Sequence, residues 1–256
     1  MIKAIGLVVP AHDEEESLPG CLAALRRAAG QAGARPVHTF VVADACTDRT
    51  AQCARAAGAE VVEIKARRVG SARATGFTEA LRITRGTDPA QVWLATTDAD
   101  TLVPPHWLAR QISYAEAGWD AVLGTVSVSD WSGHPGHLPD VFAARYAHEA
   151  ESHPHVHGAN LAVRASAYLT AGGFQSLGTG EDHALVAALE AAGRPIMRST
   201  DMAVETSARH QSRAPYGFGY RLATLGSPER SRRQRSRSSP SGRTTNARKP
   251  ALDDGR

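Results

Sequence analysis

Four short apolar runs alternate with helix-patterned segments over the first 120 residues, and this alternation restricts the chain to very few folds. Ile5 to Pro10 reads as a strand. Ser17 to Ala29 then shows helical spacing through Leu18, Leu22 and Leu25 and stops at Gly30. Thr39 to Ala43 is a second strand, after which Thr47 is placed to cap a helix running to about Ala57 and ended by Gly58. Glu60 to Ile64 is a third strand. Beyond a basic turn, Ser71 to Thr84 reads as a helix carrying Ala72, Phe77, Ala80 and Leu81. Gln91 to Ala95 is the fourth strand, and Pro104-Pro105 open a helix through Trp107, Leu108 and Ile112, a position where proline is tolerated. This order implies an α/β, Rossmann-like fold: a mostly parallel sheet flanked by helices on both faces, with right-handed crossovers.

Past Ala121 the pattern loosens. Ala121 to Val128 alternates as a strand, Val141 to Glu151 has helical spacing, and His155 to Val163 reads as extended. Asp182 to Ala192 is a helix ended by Gly193, and Ile196 to Thr206 returns to the sheet. The expected organisation is one domain over 1–226. Its first half (1–120) binds the donor and its second half (121–226) receives a second substrate; a tail follows over 227–256.

The net charge of +3 is unevenly distributed. From Ser227 to Arg256 the chain has nine Lys/Arg and three Asp/Glu, so the tail carries +6 and the remaining 226 residues −3. Rich in Ser, Arg, Pro and Gly, the tail lacks the apolar surface needed to order itself. Its arginines suit RNA or an acidic membrane surface, although a plain solvated extension accounts for them as well. No apolar stretch approaches the roughly 20 residues needed to cross a bilayer, and the N-terminus has a strand pattern rather than that of a signal peptide. A cytoplasmic protein is therefore expected. Three cysteines, Cys21, Cys46 and Cys53, make no disulfide framework and lack zinc-site spacing. Nothing in the sequence marks Cys46, which follows a strand, as a nucleophile.

The chemistry concentrates at Asp98-Ala99-Asp100, directly after Val92-Trp93-Leu94-Ala95. Ligands of open α/β sheets collect at the carboxyl ends of the strands. In extended backbone, residues i and i+2 point the same way, so Asp98 and Asp100 can aim two carboxylates at one hard cation, Mg2+ or Mn2+, which in turn can hold a diphosphate.

Other segments accompany this motif in a fixed order. They are Val8-Val9-Pro10-Ala11-His12-Asp13-Glu14-Glu15, Val41-Val42-Ala43-Asp44-Ala45-Cys46-Thr47-Asp48, Gly70-Ser71-Ala72-Arg73-Ala74-Thr75-Gly76, Gly158-Ala159-Asn160-Leu161-Ala162-Val163-Arg164 and Gly180-Glu181-Asp182. In order and spacing the chain resembles the family 2 glycosyltransferases of the GT-A fold, over roughly Ile5 to Leu225. The resemblance implies an enzyme that moves a sugar from a nucleotide-diphospho-sugar, UDP- or GDP-linked, onto a hydroxyl acceptor. It places Pro10, Ala11 and Glu14 against base and ribose, Asp44 on the base, and Arg73 on base or phosphates. Asp98 and Ala99 fall at the donor, and Asp98 and Asp100 at the metal. Asp182 falls in the place of the catalytic base, with inversion at the anomeric carbon as the consequence. Asp13 departs from the family pattern, which usually has Asn there.

Some members complete the metal shell with a late histidine, and both His183 and His210 are placed for it. Asn160 and Glu181 are candidates to orient acceptor or diphosphate. Arg209 and Arg213 lie in a Gly-, Pro- and Arg-rich stretch that suits closure over phosphates, or a solvated loop. His153, His155 and His157 would share one strand face, as a polar lining of the acceptor cleft rather than a zinc site. A retaining transferase or a sugar-nucleotide pyrophosphorylase shares this fold, but the latter favours a Gly-rich basic first loop where Pro10 to Glu16 is acidic. A noncatalytic nucleic-acid-binding protein acting through the tail is the alternative of another class. A dinucleotide oxidoreductase is disfavoured because no Gly-x-Gly-x-x-Gly follows the first strand. The chain also lacks the Gln-x-x-Arg-Trp motif of processive relatives, which implies single transfers.

Overall fold

The computed structural model describes residues 1–146 and 153–208. Within them the chain forms one eight-stranded sheet in the order β3-β2-β1-β4-β7-β6-β8-β5. The first four strands are β1 (Ala4–Ala11), β2 (Val37–Asp44), β3 (Glu60–Ile64) and β4 (Val92–Thr96). They pair in parallel, β2 and β4 flanking β1 and β3 lying outside β2, as the alternating pattern requires. The later strands are β5 (Thr101–Leu102), β6 (Ala121–Ser127), β7 (Leu161–Arg164) and β8 (Ile196–Thr206). Here the sheet turns mixed: β7 runs antiparallel to both β4 and β6, β8 lies parallel to β6, and β5 closes the edge antiparallel to β8. Because β4 pairs directly with β7, the two halves of the chain share one sheet.

The β1 to β4 strands are buried on both faces, which explains why they read as continuous apolar runs rather than alternating ones. One face packs Ile5, Leu7, Val9, Val41 and Trp93 against helices α1 (Leu18–Ala29), α2 (Thr50–Ala56) and α4 (Trp107–Glu116). The other packs Val8, Val42 and Leu94 against α3 (Val69–Ile83), α6 (Ala165–Thr170) and α7 (Glu181–Ala191). Phe77 of α3 anchors this second layer, meeting Tyr168 edge-on at 5.0 Å and Phe174 at 5.3 Å. Such aromatic pairs add to the stabilisation from buried area alone. Helix α3 lies very close to the sheet because its contact residues are small: a Cβ on Gly76 would come within 2.3 Å of Val8.

Several boundaries differ from the sequence reading for local reasons. Thr47 does not cap α2: its hydroxyl lies 3.3 Å from the Asp13 carboxylate, and Asp48 instead accepts from the Thr50 amide at 2.9 Å. Pro104 and Pro105 form the turn before α4, with the Trp107 N–H donating to the Pro104 carbonyl at 3.0 Å. A further helix, α5 (Leu138–Arg145), starts earlier than Val141, and the expected remainder to Glu151 lies mostly outside the described residues. The extended segment expected from His155 is broken by a single 3-10 turn at Gly158–Asn160 before β7 begins. His210, Arg209, Arg213 and the whole basic tail likewise lie outside the described residues.

Asn160 shows why that 3-10 turn is needed. Fully buried, it donates from Nδ2 to the carbonyls of Thr125 and Met202, each at 2.9 Å, and accepts from the Trp107 indole N–H at 2.8 Å. One side chain thus joins β6, β8 and α4. It fits only because residue 124 is glycine: a Cβ there would lie 2.1 Å from the Asn160 amide. Three hydrogen bonds prevent that amide from moving aside. Gly124→Ala should therefore destabilise the protein by about 1–3 kcal/mol in urea unfolding. Gly86→Ala, where a Cβ meets nothing within 4 Å, should fall within about 0.5 kcal/mol of wild type.

Candidate active site

The carboxyl ends of β1, β2 and β4 bring the sequence candidates to one edge of the sheet. Asp98 and Asp100 follow β4 in a tight turn closed by the Thr101 N–H to the Asp98 carbonyl at 3.1 Å. Both aspartates are half-buried, whereas Ala99 between them is buried at 3% exposure and faces the core. A cleft of about 380 Å³ opens beside Asp100, walled by Leu102, Asp130, Glu205 and Ser207.

Behind Asp98 lies the charged centre of the site. Arg73, on the second turn of α3, is 3% exposed. One arm of its guanidinium meets Asp98 Oδ1 at 2.5 Å, the other meets the buried Glu181 carboxylate, and its Nε lies 3.4 Å from the Thr96 hydroxyl. Burial works against the guanidinium charge, yet Asp98 and Glu181 outweigh it and hold the pKa above its usual value. For Glu181 the balance runs the other way. Burial pushes its carboxyl above the ordinary glutamate range, Arg73 opposes this, and neighbouring Asp182 reinforces it. The sequence reading placed Arg73 on the donor's base or phosphates; its partners in the fold are the two acids.

Asp182 heads α7, half-buried, and accepts from the Gly158 N–H at 2.9 Å and from the His183 N–H at 2.8 Å. Gly158 also permits the approach of Arg73, since a Cβ on it would lie 2.4 Å from the guanidinium carbon. The 3-10 turn at Gly158–Asn160 therefore touches Asp182, Arg73 and the β6–β8 junction at once. His183 itself is exposed.

On the nucleotide-side turns, Asp44 ends β2 and is buried. Its carboxylate accepts from the backbone amides of Ala66, Arg67 and Arg68 at 2.7, 2.8 and 2.9 Å. These bonds shape the basic turn that leads into α3. Pro10 and Ala11 close β1, and the Glu14 amide donates to the Thr50 hydroxyl at 2.7 Å, so the turns after β1 and β2 are tied together. The three histidines 153, 155 and 157 do stack on one another, at 5.7 and 6.0 Å, though on a coil rather than a strand. His155 lies flat on Tyr146 at 4.0 Å, whose hydroxyl meets His157 at 2.7 Å. Burial holds His153 below its usual pKa.

Sequence reasoning did not single out the arginine bridge, the double role of Gly158 or the partners of Asn160. Each depends on contacts between residues far apart in the chain, and no local spacing announces them.

A mixed sheet with acids at its carboxyl edge is the architecture of the GT-A glycosyltransferases. S. aureus TarS (residues 1–349) in complex with UDP-GlcNAc superposes with a TM-score of 0.59 at 16% identity, over 87% of this chain and 64% of that one. The mannosyltransferase PcManGT from Pyrobaculum calidifontis, in complex with GDP-Man and Mn2+, gives 0.62 at 19% identity, over 83% and 59%. Residues 7–170 match the model of glycosyl transferase family 2, and the chain belongs to that family. Similar proteins include the undecaprenyl-phosphate 4-deoxy-4-formamido-L-arabinose transferases of Pectobacterium carotovorum, 32% identical over 132 residues, and of Yersinia enterocolitica, also 32% identical over 132 residues. In each case the match spans 49% of this chain and 37% of the relative. The protein is thus a glycosyltransferase. Among the described residues no helix is long and apolar enough to cross a membrane.

Removing one member of a buried ion pair leaves an uncompensated charge in the interior. Arg73→Ala should accordingly cost about 3–5 kcal/mol of stability by urea unfolding. The Arg73→Ala/Glu181→Gln double variant should be less destabilised than the sum of the two single ones, because the stranded carboxylate is gone.

Proposed function

We propose that this protein transfers a sugar from a UDP- or GDP-linked donor to an acceptor hydroxyl, with inversion, using Mg2+ or Mn2+ held by Asp98 and Asp100. The observation that carries this reading is the direct bridge from Asp98, through Arg73, to the Glu181-Asp182 pair. It sets the acids assigned to the donor beside the acid assigned to the acceptor.

Asp98 and Asp100 offer hard carboxylate oxygens, the donor type that Mg2+ and Mn2+ take. Asp98 keeps 38% of its side chain accessible while one oxygen is held by Arg73, so its other oxygen is free to turn toward the cleft. Among the described residues no third His, Cys, Asp or Glu ligand atom joins this pair, and a donor diphosphate is suited to fill the remaining positions. Bound there, the cation neutralises charge developing on the departing nucleoside diphosphate.

Asp182 acts as the general base. Its carboxylate takes the proton of the acceptor hydroxyl as that oxygen bonds to the anomeric carbon and the bond to the diphosphate oxygen breaks on the opposite face. The amides of Gly158 and His183 fix its orientation, and the N-terminal end of α7 favours its anionic form. Arg73 and Glu181 hold the two acids in register. Pro10, Ala11, Glu14 and Asp44 line the turns where base and ribose would rest, with Ala99 beneath the diphosphate, and Asn160 fixes the floor on the acceptor side. That PcManGT binds GDP-Man with Mn2+ and TarS binds UDP-GlcNAc supports the choice of donors. The names of the curated relatives make undecaprenyl phosphate an acceptor to try beside simple hydroxyl compounds.

Two substitutions separate the roles. Asp100→Ala should abolish metal-dependent binding of UDP or GDP by calorimetry; unaltered affinity would remove the motif from the donor site. Asp182→Asn should leave donor binding intact and lower turnover by about 100-fold or more, the usual scale for a missing general base. A rate within a few-fold of wild type would place the base elsewhere.

A further inference from the structure

We propose that His12, Asp13 and Cys46 form a site for a Zn2+-class ion that pins together the turns leaving β1 and β2, separate from the carboxylates of Asp98 and Asp100. One ligand atom from each of the three residues lies within 4.8 Å of the other two. Linear spacing hides the set because Cys46 comes from a different turn, 33 residues after Asp13. Strands β1 and β2 are parallel neighbours with Ala11 opposite Ala43, so the turns that follow them emerge side by side.

Each ligand is pre-set by its surroundings. The Nδ1 of His12 lies 2.6 Å from the Asp44 carbonyl oxygen. A carbonyl can only accept, so in the neutral ring Nδ1 carries the proton and Nε2 presents its lone pair. Metal-binding histidines are commonly oriented in this way, by a second-shell carbonyl on the other nitrogen. Nε2 stands 3.9 Å from Asp13 Oδ2. Asp13 Oδ1 is occupied by the amides of Thr47 at 2.6 Å and Asp48 at 3.3 Å, which turns Oδ2 toward the histidine. The Thr47 amide also holds this carboxyl below the usual aspartate range, keeping it anionic.

Cys46 is half-buried, and its sulfur accepts from the Asp13 N–H at 3.4 Å. Burial raises the thiol's pKa, but a bound divalent cation displaces that proton directly. The backbone is committed to this arrangement as well: Asp13 and Ala45, each at φ 53°, are two of the three non-glycine residues with positive φ. Such a conformation is uncommon for alanine.

The donor set decides the metal. One imidazole, one carboxylate and one thiolate suit a borderline-soft tetrahedral ion, whereas Mg2+ and Mn2+ want oxygen throughout. With metal–ligand lengths of about 2.0–2.3 Å, tetrahedral ligands sit about 3.3–3.8 Å apart, so side-chain rotations of about 1 Å close the site. Solvent or a substrate atom would take the fourth position.

The full-length protein, titrated with Co2+ as a spectroscopic stand-in and then with Zn2+ in competition, tests the assignment. A thiolate-to-cobalt charge-transfer band should appear, vanish as Zn2+ is added, and be absent in Cys46→Ser but retained in Cys53→Ser and Asp100→Ala. Zn2+ affinity should fall by at least about 100-fold in Cys46→Ser and His12→Gln, beyond the roughly 10–100-fold typical of an outer-shell partner. A band that depends on Cys53, or equal affinity in His12→Gln, would overturn the proposal. Should Cys46→Ser fail to fold, alkylation of Cys46 in the wild type decides: Zn2+ must slow it, and an unchanged rate refutes the site. Neither result bears on whether the protein transfers sugars, which Asp100 and Asp182 test separately.

Discussion

A single guanidinium, buried under α3, holds the active edge of this protein together. Arg73 joins Asp98, at the end of β4, to Glu181, at the start of α7, so one charge links the parallel half of the sheet to the helix that follows β7. Burying three charged groups is costly, and the arrangement is tolerable only because each finds its counter-charge inside. The consequence for function is positional. Asp98 cannot swing freely, and α7 cannot drift away from β4, while this contact lasts.

Close packing makes that contact possible. Gly158 clears the space for the guanidinium and also offers its amide to Asp182, so one small residue serves both sides of the site. Two residues on, Asn160 threads hydrogen bonds into β6, β8 and α4. The floor beneath the acids is therefore rigid on the side assigned to the acceptor. On the other side, the turns after β1 and β2 are held by their own web, in which Asp13, Asp48 and Thr50 accept from each other's backbone amides. Asp44 shapes the next turn through three amides of its own. Rigid elements that present short, cross-braced turns are what a site needs to hold ligands in a defined geometry.

How much of this was legible beforehand follows from the kind of signal each feature leaves. Strands β3 and β8 match the expected spans to the residue, because apolar runs bounded by turn residues carry their own boundaries. The sites of Asp98, Asp100 and Asp182 at element ends were legible for the same reason. Helix starts fared worse: Thr47 looked like a cap yet serves Asp13, and the prolines at 104–105 precede α4 instead of opening it. In each case a longer-range contact or turn claimed a residue that local preference would have placed in the helix. The mixed strand order of the second half, the Arg73 bridge and the His12-Asp13-Cys46 cluster left no trace in spacing. All three arise from strands brought together by topology, and a periodicity cannot encode that.

The family fixes the class of reaction, and the cross-braced acids indicate how this chain would carry it out. The central claim is that the β4 aspartates bind a nucleoside diphosphate through a divalent cation. Calorimetric titration of UDP and of GDP into the full-length wild-type protein, with Mn2+ and again after chelation, tests it most directly. The account predicts saturable binding of at least one nucleotide with Mn2+ that disappears on chelation and returns when Mn2+ is restored. Binding of equal strength in both conditions would contradict it.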